Sequence, residues 1–151
     1  MTGTQGTDQR VTPEQLDVWR LFLRVHSRVI RRLEADLLEQ HGLPLAWYDV
    51  LARLLEADEQ RLRMSELADR VMLSPSGLTR LVDRMAEDGL VQRIQADGDG
   101  RGFYAVLTKA GYDRLRETSG THLRGIRDYV VGRFDDDELR TVAKLLQRIE
   151  N

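Results

Sequence analysis

Apolar side chains recur at helical spacing through the first third of the chain. Thr12, Pro13 and Gln15 supply an N-cap, a proline at the first helical position and a capping-box partner, so a helix is predicted to begin there. We expect it to end at Gly42. Its stripe covers more than one side: Leu16, Val18, Trp19, Leu21, Phe22, Leu23, Val25, His26, Val29, Ile30, Leu33 and Leu37. Such a helix needs cover from its own domain and, we expect, from a second copy of the chain.

Three shorter helices are predicted next. Pro44 opens the second helix, which covers residues 44–55, and Ser65 can cap a third. The inward positions of the third helix are Leu67, Ala68, Val71 and Met72. Ser74 and Pro75 then predict a fourth, because serine is a favoured N-cap and proline is tolerated at the first helical position. Its apolar side comprises Leu78, Leu81, Val82 and Met85.

The opposite side of the fourth helix is polar and cationic. Small residues occupy its first turn and arginines follow, in the order Ser76, Thr79, Arg80, Asp83 and Arg84. Small residues let a helix N-terminus approach a surface closely, and its free backbone N–H groups and positive dipole end favour an anion. DNA phosphate is one such anion.

The remaining pattern predicts a β-hairpin and two further helices. Residues 91–96 and Phe103–Leu107 form short strands around DGDGRG, whose glycines supply positive φ for a loose turn. Thr108 caps a long helix that carries Leu115, Leu123, Ile126, Tyr129, Val130 and Phe134. Asp135 or Asp136 starts a last helix with Leu139, Val142, Leu145, Leu146 and Ile149. Two short helices followed by a two-stranded wing predict a winged helix-turn-helix.

Three segments, SELADRVMLSPSGLTRLVDRMAEDGLVQR, DGDGR and VLTKAG, resemble the MarR family of bacterial transcriptional regulators, and GLPLAWYDVLARL resembles that family's second helix. The resemblance implies a mostly α fold with a small β wing. It implies a flexible tail over residues 1–11 and a single domain over residues 12–151. Within that domain, residues 43–108 would form the winged helix-turn-helix, and residues 12–42 and 109–151 the dimerisation helices.

The resemblance also implies a set of DNA-binding positions. They are Ser65, Pro75, Ser76, Gly77, Thr79, Arg80, Arg84, Asp99 and Arg101. In the wing the last arginine would enter the minor groove, oriented by the aspartate. The family usually has a basic residue between those two, where this chain has Gly100. We therefore expect one phosphate contact to be missing, and weaker or more salt-sensitive binding by the wing.

Relatives of this kind often bind a small aromatic or acidic effector, and five residues are candidates for such a pocket: Trp19, His26, Trp47, Tyr48 and His122. Core packing is the alternative for each aromatic residue, since large apolar side chains at helical spacing are usually buried. His26 and His122 both lie on inward stripes and are expected to meet. There an imidazole could hold an acidic ligand or satisfy a buried hydrogen bond.

Composition excludes several chemistries. The 151 residues contain no cysteine, so disulfides, thiolate metal sites and cysteine nucleophiles are absent. The net charge is −2, but residues 60–116 carry 10 Lys and Arg against 8 Asp and Glu, whereas the rest carries 13 against 17. A calcium loop at Asp97, Asp99 and Gly102 is disfavoured, because Arg101 and Thr108 occupy ligand positions. No metal, cofactor, P-loop or membrane segment is expected, and the location is expected to be cytoplasmic.

The resemblance to the MarR family implies an effector-responsive repressor that binds a pseudo-palindromic operator on double-stranded DNA as a homodimer. The alternative is a winged-helix module for protein interaction or ligand binding that does not read DNA, which the near-zero net charge leaves open. An enzyme is disfavoured, because no nucleophile and base stand at recognisable spacing.

Overall fold

The computed structural model describes residues 10–71, 73–98 and 102–150. Its helices are α1 (Pro13–His41), α2 (Leu45–Glu56), α3 (Met64–Val71), α4 (Pro75–Glu87), α5 (Lys109–Tyr129) and α6 (Asp136–Glu150). Its strands are β1 (Arg61–Arg63), β2 (Val91–Gln95) and β3 (Phe103–Leu107), and short 3₁₀ turns occupy Asp58–Gln60 and Val131–Arg133. The predicted fold class, mostly α with a small β wing, is confirmed.

Both ends of α1 form as the sequence predicts. The Thr12 hydroxyl accepts a hydrogen bond from the backbone N of Gln15 at 3.3 Å, and the Gln15 side chain accepts one from the backbone N of Thr12 at 2.9 Å. Gly42 closes the helix in the left-handed region at φ 63°. Because glycine adopts positive φ without a Cβ clash, it ends the helix sharply and turns the chain into α2.

The three strands form one antiparallel sheet in the order β1-β3-β2. Leu62 lies opposite Ala105, and Ile94 lies opposite Tyr104. The sequence did not predict β1, because a three-residue strand with arginine at both ends has no readable alternation. β2 ends one residue early, at Gln95, and the backbone N of Ala96 donates to the carbonyl of Gly102 at 3.1 Å instead.

The core surrounds α2, which packs against α3, α5 and the sheet. Val50, Leu51 and Leu54 of α2 have no exposed surface. Around them lie the other fully or almost fully buried apolar side chains: Leu37, Leu43, Leu67, Leu78, Val82, Met85, Val91 and Ala105. This core fixes α4 on its apolar side, so the opposite side of α4 faces outward.

Two local expectations are wrong. α3 begins at Met64, so Ser65 lies inside its first turn rather than at its cap, and the Glu66 carboxylate accepts from the backbone N of Arg63 at 3.2 Å. α5 ends at Tyr129, because Val130 leaves helical geometry at φ −130° and ψ −79°. Val130 and Phe134 therefore lie beyond α5, after which the chain makes a 3₁₀ turn. Met72 lies outside the described residues.

The first half of α1 and all of α6 show apolar side chains to solvent. Trp19 is 56% exposed and Ile149 is 77% exposed, and α6 contains no buried residue. The predicted stripe of α1 is thus covered by its own chain only towards the C-terminal end, at Leu33 and Leu37.

Candidate nucleic-acid interface

A serine cap positions the first turn of α4. The Ser74 hydroxyl accepts a hydrogen bond from the backbone N of Gly77 at 3.2 Å, and Pro75 is the first helical residue. The Thr79 hydroxyl donates to the carbonyl of Pro75 at 2.9 Å. Pro75 and Ser76 are exposed, so this turn presents small side chains at the positive end of the helix dipole.

Arg80 and Arg84 project from the outer side of α4, and both are exposed. Asp83 lies between them in sequence, but its carboxylate pairs with Arg93 of β2, with Nη1 and Oδ1 2.6 Å apart. No carboxylate in the described part of the chain forms an ion pair with Arg80 or Arg84. Asp83 therefore does not neutralise either arginine, and both guanidinium groups are available to an anion.

Arg93 connects the wing to α4. Its guanidinium carbon lies 4.5 Å from the centre of the Phe103 ring on β3 while its nitrogen binds Asp83. One side chain thus links β2, β3 and α4, and sets the orientation of the wing relative to the helix. The sequence did not predict this role. Arg93 belongs to a motif that resembles the family, but nothing in the motif shows that it pairs with Asp83, ten residues earlier.

A second group that sequence reasoning missed lies on the outer face of the sheet. Arg61 and Arg63 of β1 stack on Tyr104 of β3, with guanidinium carbons 4.9 and 5.1 Å from the ring centre. Arg61 also pairs with Glu59, with Nη2 and Oε2 2.5 Å apart. In the sequence, the only indication of this group is that Arg61 and Arg63 flank Leu62, an apolar residue that is buried.

The structure brings most of the expected DNA-binding positions together. Ser65 is exposed in the first turn of α3. On α4 lie Pro75, Ser76, Gly77, Thr79, Arg80 and Arg84. Asp99, Gly100 and Arg101 lie outside the described residues, so the expectations for the wing tip stay predictions.

The five candidate effector residues do not converge within one chain. Trp19 is exposed and stacks on Phe22, with ring centres 6.1 Å apart. Trp47 lines a cavity of about 240 Å³ together with Arg80 and Arg84.

The two histidines do not meet either. His26 borders a cavity of about 200 Å³ beside Val130 and four α1 side chains. His122 instead packs on Tyr48, with ring centres 4.2 Å apart. His41 of α1 contacts Thr121 beside His122, and His41 is fifteen residues, roughly 22 Å of helix, from His26.

His122 has an unusual polar environment. Its Nδ1 is buried and has no hydrogen-bond partner in the described part of the chain. Burial lowers the pKa of His122, and the charge of Asp49 opposes that change. Burial likewise raises the pKa of Asp49, with His122 and Arg53 opposing. Burial thus disfavours the charged form of the imidazole, and one ring nitrogen is available to a hydrogen-bonding group.

Two further findings concern metals and membranes. Over residues 10–71, 73–98 and 102–150, no group of three or more His, Asp or Glu side chains is arranged to hold a metal ion. Over the same ranges, no helix combines the length and apolar character needed to cross a membrane.

The model of the MarR family matches residues 41–102, from the last residue of α1 to the residue before β3. The crystal structure of AbsC, a MarR family transcriptional regulator from Streptomyces coelicolor, is 32% identical, with a TM-score of 0.86 over 94% of this chain and 95% of that one. This chain belongs to the MarR family. The resemblance seen in the sequence is confirmed.

Other MarR family relatives agree with the family assignment. Sco3205 from Streptomyces coelicolor, solved in complex with DNA, is 29% identical to this chain, with a TM-score of 0.88 over 96% of this chain and 91% of that one. The transcriptional repressor MdtR of Bacillus subtilis is 26% identical over 149 residues, or 97% of this chain and 92% of that protein. The similar proteins are transcriptional regulators and not enzymes, and this MarR family chain is a transcriptional regulator.

Proposed function

We propose that this chain represses transcription as a homodimer, with α4 of each copy in the major groove of a pseudo-palindromic operator. The observation that carries the proposal is the outer side of α4. Its first turn carries small residues, and Arg80 and Arg84 follow without a carboxylate partner among the described residues. A helix of this kind suits close approach to base edges through its N-terminal residues, with arginines on guanine or phosphate.

The apolar surface that one chain leaves exposed supports the proposed dimer. Residues 12–42 and 109–151 would form the dimerisation helices, and residues 43–108 would bind DNA. The exposed apolar side chains on α1 and α6 support this division, since so large an apolar surface is unusual on a monomer. Two-fold symmetry would set the recognition helices about one DNA turn apart, roughly 34 to 36 Å.

The wing is proposed to contact the adjacent minor groove through Arg101, oriented by Asp99. The support is the matching sequence pattern and the position of β2 and β3, which Arg93 holds against α4. Gly100 supplies no cation at the intervening position.

A small aromatic or acidic effector is proposed to change operator affinity. The candidate contacts are Trp19, His26, Trp47, Tyr48 and His122, and the buried Nδ1 of His122 beside Tyr48 gives the strongest support. Such a molecule would act by favouring a dimer whose two α4 helices no longer match the operator spacing. Its effect is limited by its differential affinity for the two states.

Fluorescence anisotropy tests the DNA-binding part of the proposal. A duplex would be selected from a random-sequence pool with the wild-type protein, and its binding compared with that of a scrambled duplex over a series of salt concentrations. We expect preference for the selected duplex and a steep decrease of affinity with salt. Arg84→Ala should weaken binding by about 1 to 3 kcal/mol, whereas Arg53→Ala, on α2 and paired with Glu56, should not change it.

Selection of no preferred duplex, together with a shallow salt dependence, would contradict the proposal. That outcome would favour the winged-helix module that serves protein contact or ligand binding and does not read DNA.

A further inference from the structure

The outer face of the wing sheet carries a basic group that the function proposed above does not use. We define the wing-face patch as Arg61, Arg63 and Tyr104. Paired residues of an antiparallel sheet point to the same face, and Arg63 lies opposite Tyr104. Leu62, between the arginines, points into the core and is 5% exposed. The patch is therefore built into the register of the sheet and faces away from the core.

The two arginines differ in their electrostatic surroundings. Arg61 is paired with Glu59 at 2.5 Å, so its charge is compensated in place. The guanidinium of Arg63 forms no ion pair with any described residue, and Glu66 accepts from the backbone N of Arg63, not from its side chain. Arg63 thus keeps an uncompensated positive charge.

Tyr104 holds the Arg63 side chain in place without consuming its hydrogen-bond donors. A guanidinium stacked on an aromatic face is attracted through the ring's quadrupole, while its N–H groups point outward along the edge of the plane. Stacking also reduces the rotamer freedom that the arginine would lose on binding. The guanidinium beside the ring is a planar fork of the shape that binds a phosphate through two parallel hydrogen bonds.

Arg63 lies between two elements that are proposed to touch DNA. It directly precedes α3 and stands two residues before Ser65, an expected phosphate contact. On its other side, a Cβ built on Gly102 would stand 3.9 Å from Nη1 of Arg63, so the guanidinium reaches the end of the wing loop. Arg63 is therefore close in the structure both to the first turn of α3 and to the end of the wing loop.

We propose that Arg63, stacked on Tyr104, binds a backbone phosphate of the operator and adds one contact per copy of the chain. The contact rests on the proposed function, because it needs a chain that binds DNA through α4. It is independent of base sequence, since phosphate contacts position a protein on the duplex and carry no direct sequence information.

The test compares the full-length Arg63→Ala protein with wild type on the duplex selected from the random pool. We expect roughly tenfold weaker binding at low salt, with a similar decrease on a scrambled duplex. The slope of log affinity against log salt should become shallower by about 0.9 for each phosphate that is no longer neutralised, or about 1.8 for a dimer. A role confined to folding would not move that slope.

Arg61→Ala is the matched control, because Arg61 stacks on the same ring and Glu59 already compensates its charge. It should change affinity by less than about twofold and leave the salt slope unaltered. Arg63→Lys keeps the charge and should retain most of the slope, with weaker binding because lysine lacks the planar fork. Thermal unfolding of each variant shows whether the fold is intact.

Wild-type affinity and slope for Arg63→Ala would overturn the phosphate contact, as would equal decreases in affinity from Arg61→Ala and Arg63→Ala. A lower melting temperature with an unchanged slope would also overturn it, because Arg63 would then serve only to hold the sheet. If the wild-type chain selects no duplex at all, the proposed function fails and this contact fails with it. If wild type binds and Arg63→Ala binds equally well, the wing-face contact alone is wrong.

Discussion

The lobe around α2 and the outer helices α1 and α6 use the same apolar periodicity with opposite results. Leu51 and Leu54 of α2 have no exposed surface, whereas Leu145 and Leu146 of α6 are 52% and 47% exposed. A helical apolar stripe shows that a face requires cover, but not whether the same chain supplies it. The lobe around α2 has a complete core in one copy, and the outer helices do not.

Polar contacts join these two regions. Glu34 of α1 accepts a hydrogen bond from the backbone N of Leu45 at 2.5 Å, at the start of α2, where Pro44 provides no side-chain cap. His41 of α1 lies 2.8 Å from the hydroxyl of Thr121 on α5. These contacts tie α1 to the start of α2 and to α5.

Substitutions in the complete core around α2 should lower the free energy of unfolding more than substitutions in the outer helices. Leu54→Ala removes a fully buried side chain and should lower the free energy of unfolding by about 2 to 5 kcal/mol, measured by chemical denaturation. The neighbouring Leu55 is 37% exposed, so Leu55→Ala should cost clearly less. Equal decreases from the two variants would show that the lobe does not depend on burial along α2.

A close backbone approach between α5 and the turn before β2 gives the next prediction. A Cβ on Gly111 would stand 2.1 Å from the carbonyl oxygen of Leu90, so the backbone itself would have to move. Gly111→Ala should therefore destabilise the fold by about 1 to 3 kcal/mol or more, measured by thermal unfolding.

Gly120 is the matched control on the same helix. A Cβ there meets only the end of the Arg124 side chain, at 3.6 Å. Gly120→Ala should be neutral or stabilising by roughly 0.5 to 1 kcal/mol, because alanine is a better helix former than glycine. A similar destabilisation from both substitutions would mean that the close approach is not what requires Gly111.

Substitutions in the outer helices should change dimer formation rather than the stability of the single chain. Leu146→Asp places a charge among the exposed apolar side chains of α6, and we expect it to weaken a dimer by about 3 kcal/mol, or roughly a hundredfold. Sedimentation of a dilution series measures this shift. Lys144→Glu changes charge on the other side of α6 and should leave the assembly unchanged. A Leu146→Asp protein that sediments like wild type would exclude α6 from the dimer interface.

Much of the fold could be predicted because the deciding signals are local. Thr12, Ser74 and Thr108 each cap a helix through a hydrogen bond to a backbone N three residues later. The α4 surface could be predicted for the same reason, since its cap and its arginines lie within one short segment. The end of α5 was missed because Val130 and Phe134 continue the apolar period after the backbone has left the helix.

The rest of the candidate site depends on contacts between distant segments. Arg93 pairs with Asp83 across a turn, and Arg63, on a strand that was not predicted, contacts Tyr104 on the neighbouring strand β3. The expected meeting of His26 and His122 is wrong for the same reason. Two residues on the inward sides of different helices can lie far apart along the helix axes. Apolar periodicity shows which side of a helix is inward, but not which axial positions of two helices are adjacent.

The smallest expected effect concerns the contact between α5 and α2, where His122 packs on Tyr48. Burial lowers the pKa of His122, so the folded protein binds fewer protons than the unfolded chain at mildly acidic pH. Its contribution to stability is therefore complete above pH ~6.5 and is lost as the pH falls towards the folded pKa, with a slope of at most about 1.4 kcal/mol per pH unit.

Asp49 acts in the opposite direction. Burial raises its pKa, so its neutral form favours folding below about pH 4, and that contribution is lost as the pH rises through the folded pKa. Denaturation profiles of wild type and His122→Gln between pH 5 and 7 isolate the histidine, with His26→Gln as the control for removal of an exposed imidazole. We expect the acid-side decrease in stability to disappear only in His122→Gln. If it persists there, the imidazole is not what couples acidification to the α2–α5 junction.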